Sequence, residues 1–322
     1  MTSAPDSGVE KELALVEERL RKAIQSREPL LTDIAAYVIE AGGKRIRPTV
    51  ALLANRAVGG SNLDKTVDMA AALELIHSAT LLHDDINDGG LIRRGREAAY
   101  RKYGIQNALV AGDFLFVKAF QIGGRFQPEI VDLTAQVCTS LAEAEIVQKQ
   151  HVGDLAWTRD QYLDLIARKT AMPISAGARI GATLGGGTPE EIDALSRFGL
   201  NLGTAFQIVD DILDVVGDPA VLGKPVGTDL KEGNVTLLVL HAMNDGSERR
   251  AKLRAILRKR RRTGEVVARG LSLIRDSGAV DRAREDAEHF GGLALRALED
   301  VRPGPAREAL ARLVDFVVHR NM

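Results

Sequence analysis

Cysteine is almost absent from this chain: Cys138 is the only one in 322 residues. That excludes an intramolecular disulfide and fits a reducing compartment. Aromatic residues make up only 4% of the sequence, so a large apolar site is expected to be lined mostly by aliphatic side chains. An excess of charge of one sign is missing too: 43 Lys plus Arg stand against 44 Asp plus Glu, a formal net charge of −1. Without a basic surplus to exchange counterions with phosphates, no general nucleic-acid partner is expected. No uninterrupted apolar run reaches the ~18 residues that a membrane span needs. The opening MTSAPDSGVEKELALVEERLRK turns charged before a signal-peptide core could form. A cytoplasmic protein without a transmembrane segment is therefore expected. Histidines at ligand spacing are also lacking, since His151, His241, His289 and His319 are scattered, which argues against a histidine metal site.

What is present is a helical pattern. The 45% hydrophobic and 27% charged residues are interspersed as in a folded globule. Apolar residues recur at helical spacing over residues 9–26 (Leu13, Val16, Leu20, Ala23, Ile24), and a second helix over 31–41 stops at Gly42-Gly43. Pro48 suits the first turn of a third helix, where its missing N–H costs nothing. Residues 65–88 are too long and apolar for a strand and read as a buried helix. Further helices are expected over 107–120 and 129–148. Thr158 and Asp160 open another, kinked at Pro173, and Thr188-Pro189-Glu190-Glu191 caps a long one that ends near Val216. Residues 217–236, rich in Gly, Pro, Asp and Lys, read as a loop. The remainder is amphipathic helix, broken by turns at 263–264, 276–278 and 302–305. No period-2 run is long enough to seed a sheet and no linker divides the chain. The expectation is an all-α protein with one domain over residues 1–322.

One short pattern occurs twice: Asp84-Asp85-Ile86-Asn87-Asp88 and Asp210-Asp211-Ile212-Leu213-Asp214. In a helix, residues i and i+4 share a face, so Asp84 stacks on Asp88 and Asp210 on Asp214, with Asp85 and Asp211 beside them. Like charges at that spacing repel by ~0.2–0.5 kcal/mol even in water. Between apolar flanks the cost rises to several kcal/mol per charge, by order of magnitude, unless cations neutralise the cluster. A lone DxxxD is most simply a solvated edge. Two full DDxxD motifs in apolar helices point instead to facing acidic walls that share hard divalent cations, and all-oxygen ligands favour Mg²⁺ bridging carboxylates to phosphates.

Cations suited to phosphate accompany both motifs. Gly42-Gly43-Lys44-Arg45-Ile46-Arg47-Pro48 packs three into one interhelical loop, Arg93-Arg94-Gly95 follows the first motif, Lys169-Thr170 sits within a helix, and Lys224 follows Asp214. Arginine matches phosphate oxygens bidentately and lysine supplies a compact charge. His77 shares the stripe Leu73, His77, Thr80, Asp84, Asp88, where it is either a satisfied core residue or a donor to phosphate. His83 points elsewhere and reads as structural. The run RKRRR at 258–262 is most simply a solvated turn.

These residues resemble the trans-isoprenyl diphosphate synthases (polyprenyl synthetases), of medium or long-chain type, over nearly the whole chain. GGKRIRP at 42–48 resembles that family's isopentenyl diphosphate loop and LIHSATLLHDDIND at 75–88 its first aspartate-rich motif. RRG at 93–95, AGDFLF at 111–116 and KT at 169–170 follow in the family's order. GTAFQIVDDILD at 203–214 resembles the second aspartate-rich motif, with Lys224 and Asp229 after it.

The resemblance implies a helical bundle around a central apolar cavity, and an enzyme joining isopentenyl diphosphate head to tail with an allylic diphosphate. It implies about three Mg²⁺ per site, held by Asp84 and Asp88, with Asp85, and by Asp210, Asp211 and Asp214. Arg93, Lys169, Thr170, Gln207 and Lys224 would contact the allylic substrate, Lys44, Arg47, His77 and Arg94 isopentenyl diphosphate, and the chain would form a homodimer. One departure stands out: Glu232-Gly233-Asn234 replaces the Glu-Gly-Lys common in the family. The tail path runs down the helix below Asp84, past Ala79 and Thr80, both small, toward Leu73, Ile76 and Phe120. That implies a product of about twenty carbons or more, since side-chain volume sets the free space. A terpene cyclase would need no second diphosphate site, and a non-catalytic subunit of a heteromeric synthase would not need intact acidic motifs. A metal phosphohydrolase reading of His83-Asp84 lacks further histidine ligands.

Overall fold

The computed structural model describes residues 8–219, 225–244, 247–259 and 262–320, and among them helices dominate. Ten long or medium helices form the main body: α1 Glu10–Ala23, α2 Pro29–Ile39, α3 Ile46–Ala57, α4 Asp64–Asp88, α5 Ala99–Tyr103, α6 Ile105–Gly123, α7 Pro128–Gln150, α8 Arg159–Ile166, α9 Met172–Leu184 and α10 Pro189–Val216. Then come α11 Thr228–Glu232, α12 Leu237–Met243, α13 Ser247–Leu257, α14 Gly264–Arg275, α15 Ala279–Ala297 and α16 Pro305–His319. The all-α expectation holds, and the boundaries fall close to those read from hydrophobic period.

The start signals act as expected. Thr158 and Thr188 each accept the backbone N–H three residues on, from Gln161 and Glu191, and those side chains return a bond to the cap N–H. Pro173 produces a change of helix type rather than a simple kink. A π turn, Ala167–Ala171, separates α8 from α9 just ahead of it, where the ladder re-registers around the proline's missing donor. Among the described residues, the loop expected over 217–236 contains a short helix, α11, whose five residues are too few to show a period. Residues 220–224 lie outside the described part. The absence of sheet is broken by one two-stranded hairpin, β1 Ile92–Arg93 with β2 Arg96–Glu97. Its central residues Arg94 and Gly95 have φ of 52° and 74°, the left-handed pair of a tight I′ turn.

Two large apolar clusters fill most of the interior, with a small third one around Met69, Ile130 and Ile180. The larger gathers α1–α4, α6, α9 and α16 around residues such as Leu52, Leu75, Leu115 and Phe198. The second gathers α8 and α12–α14 around Ile212, Leu238, Leu253 and Ile274. Helices α10 and α15 contribute to both, and Phe290 packs against each. Close approach at glycine sets the helix spacing that positions the site. A Cβ on Gly181 would fall 2.0 Å from the carbonyl oxygen of Ala51, and one on Gly203 would fall 2.5 Å from Cα of Ala171. Gly203 therefore lets α10 lie against the π turn that carries Lys169 and Thr170.

Candidate active site

Both acidic motifs occupy the last turns of their helices. Asp84, Asp85 and Asp88 close α4, which Gly89 caps in the left-handed conformation at φ 65°, and Asp210, Asp211 and Asp214 close α10. A helix C-terminus carries the negative end of the macrodipole, so each carboxylate there is disfavoured by ~0.3–1 kcal/mol in exposed cases. Six acids at two such ends make a place where positive charge is strongly favoured. The two ends meet at one cavity of about 940 Å³, whose wall includes Asp88, Lys169, Thr170, Gln207, Asp211, Asp214, Arg93 and Glu232.

The six carboxylates are not equivalent. Asp84 accepts no hydrogen bond and forms no ion pair among the described residues, and burial pushes its carboxyl up to about 6. Asp85 is 4% exposed and is gripped by Arg93, whose Nε and Nη2 lie 2.8 and 2.6 Å from one oxygen. Burial raises its affinity for a proton while Arg93 opposes that. Asp88 pairs with Lys149 at 2.5 Å. Asp210 pairs with Arg320 at 2.6 Å, and the same guanidinium donates to the Phe206 carbonyl and lies 4.0 Å from that ring. Asp211 accepts from the Tyr162 hydroxyl at 2.7 Å and from Gln207 Nε2 at 2.8 Å. Burial, and then Asp229 nearby, hold its carboxyl well above the usual range. Asp214 accepts the backbone N–H groups of Thr228 and Asp229 at 3.2 and 3.1 Å, which ties α10 to the start of α11.

A separate basic cluster stands beside Asp210. Arg45 is not part of it: in the left-handed conformation (φ 48°) it turns inward to Glu17 and to Glu74 at 2.6 Å, anchoring the 42–48 loop on α1 and α4. That anchor leaves Lys44 and Arg47 facing the site. Burial, and then Arg320, lower the Lys44 ammonium to about 8, and burial also lowers Arg47. The I′ turn sends Arg94 back to donate to the Gly42 carbonyl; a Cβ on Gly43 would fall 2.9 Å from its guanidinium, which explains a glycine there. Lys44, Arg47 and Arg94 form no salt bridge among the described residues. His77 is held neutral: burial, then Arg47 and Arg94, press its pKa well below the usual imidazole value.

At the cavity, the π turn presents Lys169 to Glu145 at 2.6 Å and Gln148 at 2.7 Å. Burial disfavours its charge, but Asp84 and Glu145 outweigh that and raise it. Thr170 donates to Gln207 at 2.7 Å, so Gln207 links the π turn to Asp211. Lys224 lies outside the described residues. His83 is structural as expected: it faces Gly112, where a Cβ would be 2.2 Å from its ring, and contacts the Leu109 carbonyl at 3.2 Å. Of the two residues beneath Asp84, Ala79 is fully buried in the main core, whereas Thr80, one turn before Asp84, is half-buried with its hydroxyl bonded to the His77 carbonyl. Thr80 is therefore the less enclosed of the two. Phe120 is 43% exposed, so it does not form a floor within one chain.

Sequence reading gave no site role to Lys149, Tyr162, Arg320 or Glu232. The first three reach their aspartates from 61, 49 and 110 residues away, and no local pattern announces such pairs. Asn234, at the departure noted above, donates to Asp229 at 3.2 Å and Glu232 at 3.0 Å. Glu232, with burial, Asp88 and Asp229 acting on it, is pushed up to about 7.

Among the described residues no three His, Cys, Asp or Glu groups form a closed metal cage. The open carboxylates nevertheless fit a hard cation that keeps waters and is completed by substrate phosphates. The unpartnered, proton-favouring Asp84 and the buried, unpaired Oε1 of Glu145 beside Lys169 are the observations that support the fit.

Comparison with known proteins places these features in context. The family description "Polyprenyl synthetase" matches residues 28–274. A "short chain isoprenyl diphosphate synthase" of Methanothermobacter thermautotrophicus is 39% identical over 95% of this chain and 96% of its own length. An octaprenyl diphosphate synthase of Escherichia coli is 35% identical over 97% and 96%. A crystal structure of a polyprenyl synthase from Caulobacter crescentus, complexed with calcium and isoprenyl diphosphate, superposes with a TM-score of 0.94 at 35% identity, covering 100% of both chains.

Proposed function

We propose, from the premise that this chain belongs to the polyprenyl synthetase family and is a prenyltransferase, how its two charged regions divide the work. The reaction is all-trans prenyl chain elongation, in which isopentenyl diphosphate adds head to tail to an allylic diphosphate. One observation carries the division: two acidic helix ends share a cavity with Lys169 and Arg93, while Lys44, Arg47 and Arg94 form a second cluster that makes no salt bridge among the described residues, with Glu74 and Asp210 nearby. Two separate basic sites suit two diphosphates, and that favours a synthase over a terpene cyclase, which takes one.

Asp84, Asp88 and Asp210 are the carboxylates best placed to hold Mg²⁺, with Asp214 contributing while it fixes α11. When bound, the ions supply electrophilic stabilisation of the departing diphosphate. Around it the chain's own groups act. Arg93, Lys169, Thr170 and Gln207 orient the allylic diphosphate, with Lys224 as a further candidate cation. Lys44, Arg47 and Arg94 hold isopentenyl diphosphate, and neutral His77 can donate to a phosphate oxygen without adding charge. Preorganised cations stabilise the leaving anion better than water, which must reorient. Holding both reactants side by side removes much of the entropic barrier to attack by the alkene on the allylic carbocation. No side chain stands out as a base for the proton then lost, so the released diphosphate is the acceptor. Water must be kept from the cation, and the apolar core below Thr80 serves that end. The small side chains there suit a product of about twenty carbons or more.

A homodimer fits the outer face of α6, where Ile105, Leu109, Val110, Val117 and Phe120 are 43–65% exposed. Such an apolar stripe on one helix exceeds the scattered exposure of a monomer surface. No helix among the described residues is long and apolar enough to cross a membrane; a cytoplasmic location is part of the proposal. The test is turnover of isopentenyl diphosphate by the purified chain with Mg²⁺ and each allylic starter, with products sized after dephosphorylation. Turnover of the allylic substrate alone would instead support a cyclase, and no turnover by the single chain would support a non-catalytic subunit.

A further inference from the structure

The basic run at 258–262 is the tail of a larger charged element. Over residues 247–262, which hold α13, nine Lys or Arg stand against a single acid, Glu248. The rest of the chain carries 34 Lys plus Arg against 43 Asp plus Glu. A nearly neutral protein thus gathers a positive surplus in one segment, the charge pattern of a surface that meets a polyanion.

The helix turns that charge outward. Leu253, Ile256 and Leu257 are at most 5% exposed and pack α13 into the second apolar cluster. The opposite face centres on exposed Ala251 and Ala255, with Arg250 and Arg254 along one side and Lys252 along the other. Arg258 and Lys259 continue from the last turn, their N–H groups bonded to the carbonyls of Arg254 and Ile256. Glu248 engages Lys252 at 2.6 Å. Arg250, Arg258 and Lys259 are exposed and form no ion pair among the described residues. Arg260 and Arg261 lie outside the described residues. On the next helix, α14, exposed Glu265 and Arg269 offset one another. Short alanines at the centre let the helix approach a flat surface, while longer cations on both sides reach it.

This element adjoins the cavity. Nη2 of Arg262 donates to the Leu257 carbonyl at 2.5 Å, which holds the end of α13 against the wall that Arg262, Gly264, Val267 and Ala268 help to line. Gly264 and Ala268 are exposed, so the basic element stands beside a part of that wall that reaches solvent. Prenyl elongation makes a diphosphate with a lengthening apolar tail, which water rejects.

We propose that α13 and the basic residues after it dock the protein reversibly on an anionic lipid surface, beside the cavity where the prenyl diphosphate is made. The choice of lipid over nucleic acid rests on the proposed reading of that cavity, whose product is lipid-soluble; the docking itself needs no turnover. The apolar side of α13 is already packed in the core, so docking proceeds by charge without insertion and is screened by salt.

Sedimentation of the full chain with vesicles of phosphatidylcholine, alone or mixed with phosphatidylglycerol, tests it. Binding is expected to the anionic vesicles only, falling at least about tenfold as salt rises from roughly 0.1 to 0.5 M. The triple variant Arg250→Gln, Arg258→Gln, Lys259→Gln should bind about a hundredfold more weakly, at roughly fivefold per cation near the surface. Arg250→Lys with Arg258→Lys keeps the charge and the binding. Without vesicles, the initial rate of the triple variant on a short allylic starter stays within about twofold, because screened charges outside the cavity act weakly on it. No binding to anionic vesicles, or equal binding by wild type and triple variant, overturns the proposal. So does binding to neutral vesicles that persists at high salt. Displacement of the vesicles by a duplex oligonucleotide bound more tightly would assign the surface to nucleic acid and overturn it too. If the chain docks as expected but elongates nothing, the docking stands and the function proposed above fails.

Discussion

The two acidic helix ends share five letters of pattern and differ in almost everything around them. At the end of α4, Asp84 is unpartnered and its neighbours face lysine and arginine side chains. At the end of α10, Asp211 is fixed by Tyr162 and Gln207, and Asp214 by two backbone N–H groups. One turn before Asp84 stands Thr80; one turn before Asp210 stands Phe206, with Arg320 laid over its ring. The first aspartate of the motif is therefore unpartnered in one copy and paired in the other, with a small side chain one turn before it in the first and an aromatic ring in the second. Under the proposed function an elongating tail would pass under the first, while the second would supply a fixed wall.

The sharpest way to break this contrast is to neutralise one carboxylate in each copy. Asp84→Asn is expected to lower kcat by about 10³-fold, the scale of losing a principal charge-stabilising group. Asp214→Asn should cost less in kcat and more in thermal stability, because its oxygens cap α11. Equal kcat losses with unchanged stability in both would remove the distinction. Tyr162→Phe comes next: it leaves Asp211 with one donor fewer, and a hydrogen bond to a charged group is worth ~1.5–3 kcal/mol. A roughly tenfold rise in the Mg²⁺ concentration for half-maximal rate is expected on that scale, and no rise would show the locking of Asp211 to be irrelevant to metal.

Acid titration probes Asp84 as well. Asp84 has a folded pKa of about 6 against an ordinary value of 3.8, so the folded ion-free chain binds the extra proton between those values. Its stability falls as pH rises through that window, and Mg²⁺ binding near pH 6 should release a proton. Urea midpoints in chelator at pH 4.5 and 7 measure the first effect, and calorimetry in buffers of different ionisation enthalpy measures the second. Asp84→Asn should reduce both, the remainder coming from the raised carboxyls of Asp85, Asp211 and Glu232; no reduction in either would assign the proton elsewhere. The smallest effect on rate concerns length. Thr80→Phe should shorten the product with kcat within about threefold, since it fills space below the site without touching charge. Ala79→Phe, in the packed core, should instead destabilise by ~1–3 kcal/mol. Unchanged product length in Thr80→Phe would mean that the tail runs elsewhere.

How much of this the chain announces depends on the range of each interaction. The long helices α4 and α10 and both threonine caps were legible because period and capping are local. The five residues of α11 and the tight hairpin at 92–97 were not, being shorter than the window in which a period shows. In the site, Asp84 to Asp88 and Asp210 to Asp214 were legible from spacing alone, as was the cationic loop at 42–48. That loop's inward anchor, Arg45 on Glu74, depends on a partner 29 residues on. The roles of Lys149, Tyr162 and Arg320 arise only when distant helices meet. Arg320 contacts Asp210 directly across 110 residues of sequence.

The most direct measurement is a crystal structure with Mg²⁺ and a thio-linked allylic diphosphate analogue that cannot ionise. The account predicts ions touching Asp84 and Asp88 on one side and Asp210 on the other, with the diphosphate between them and its prenyl tail passing Thr80. Ions absent from both helix ends, or a diphosphate seated away from them, would contradict it.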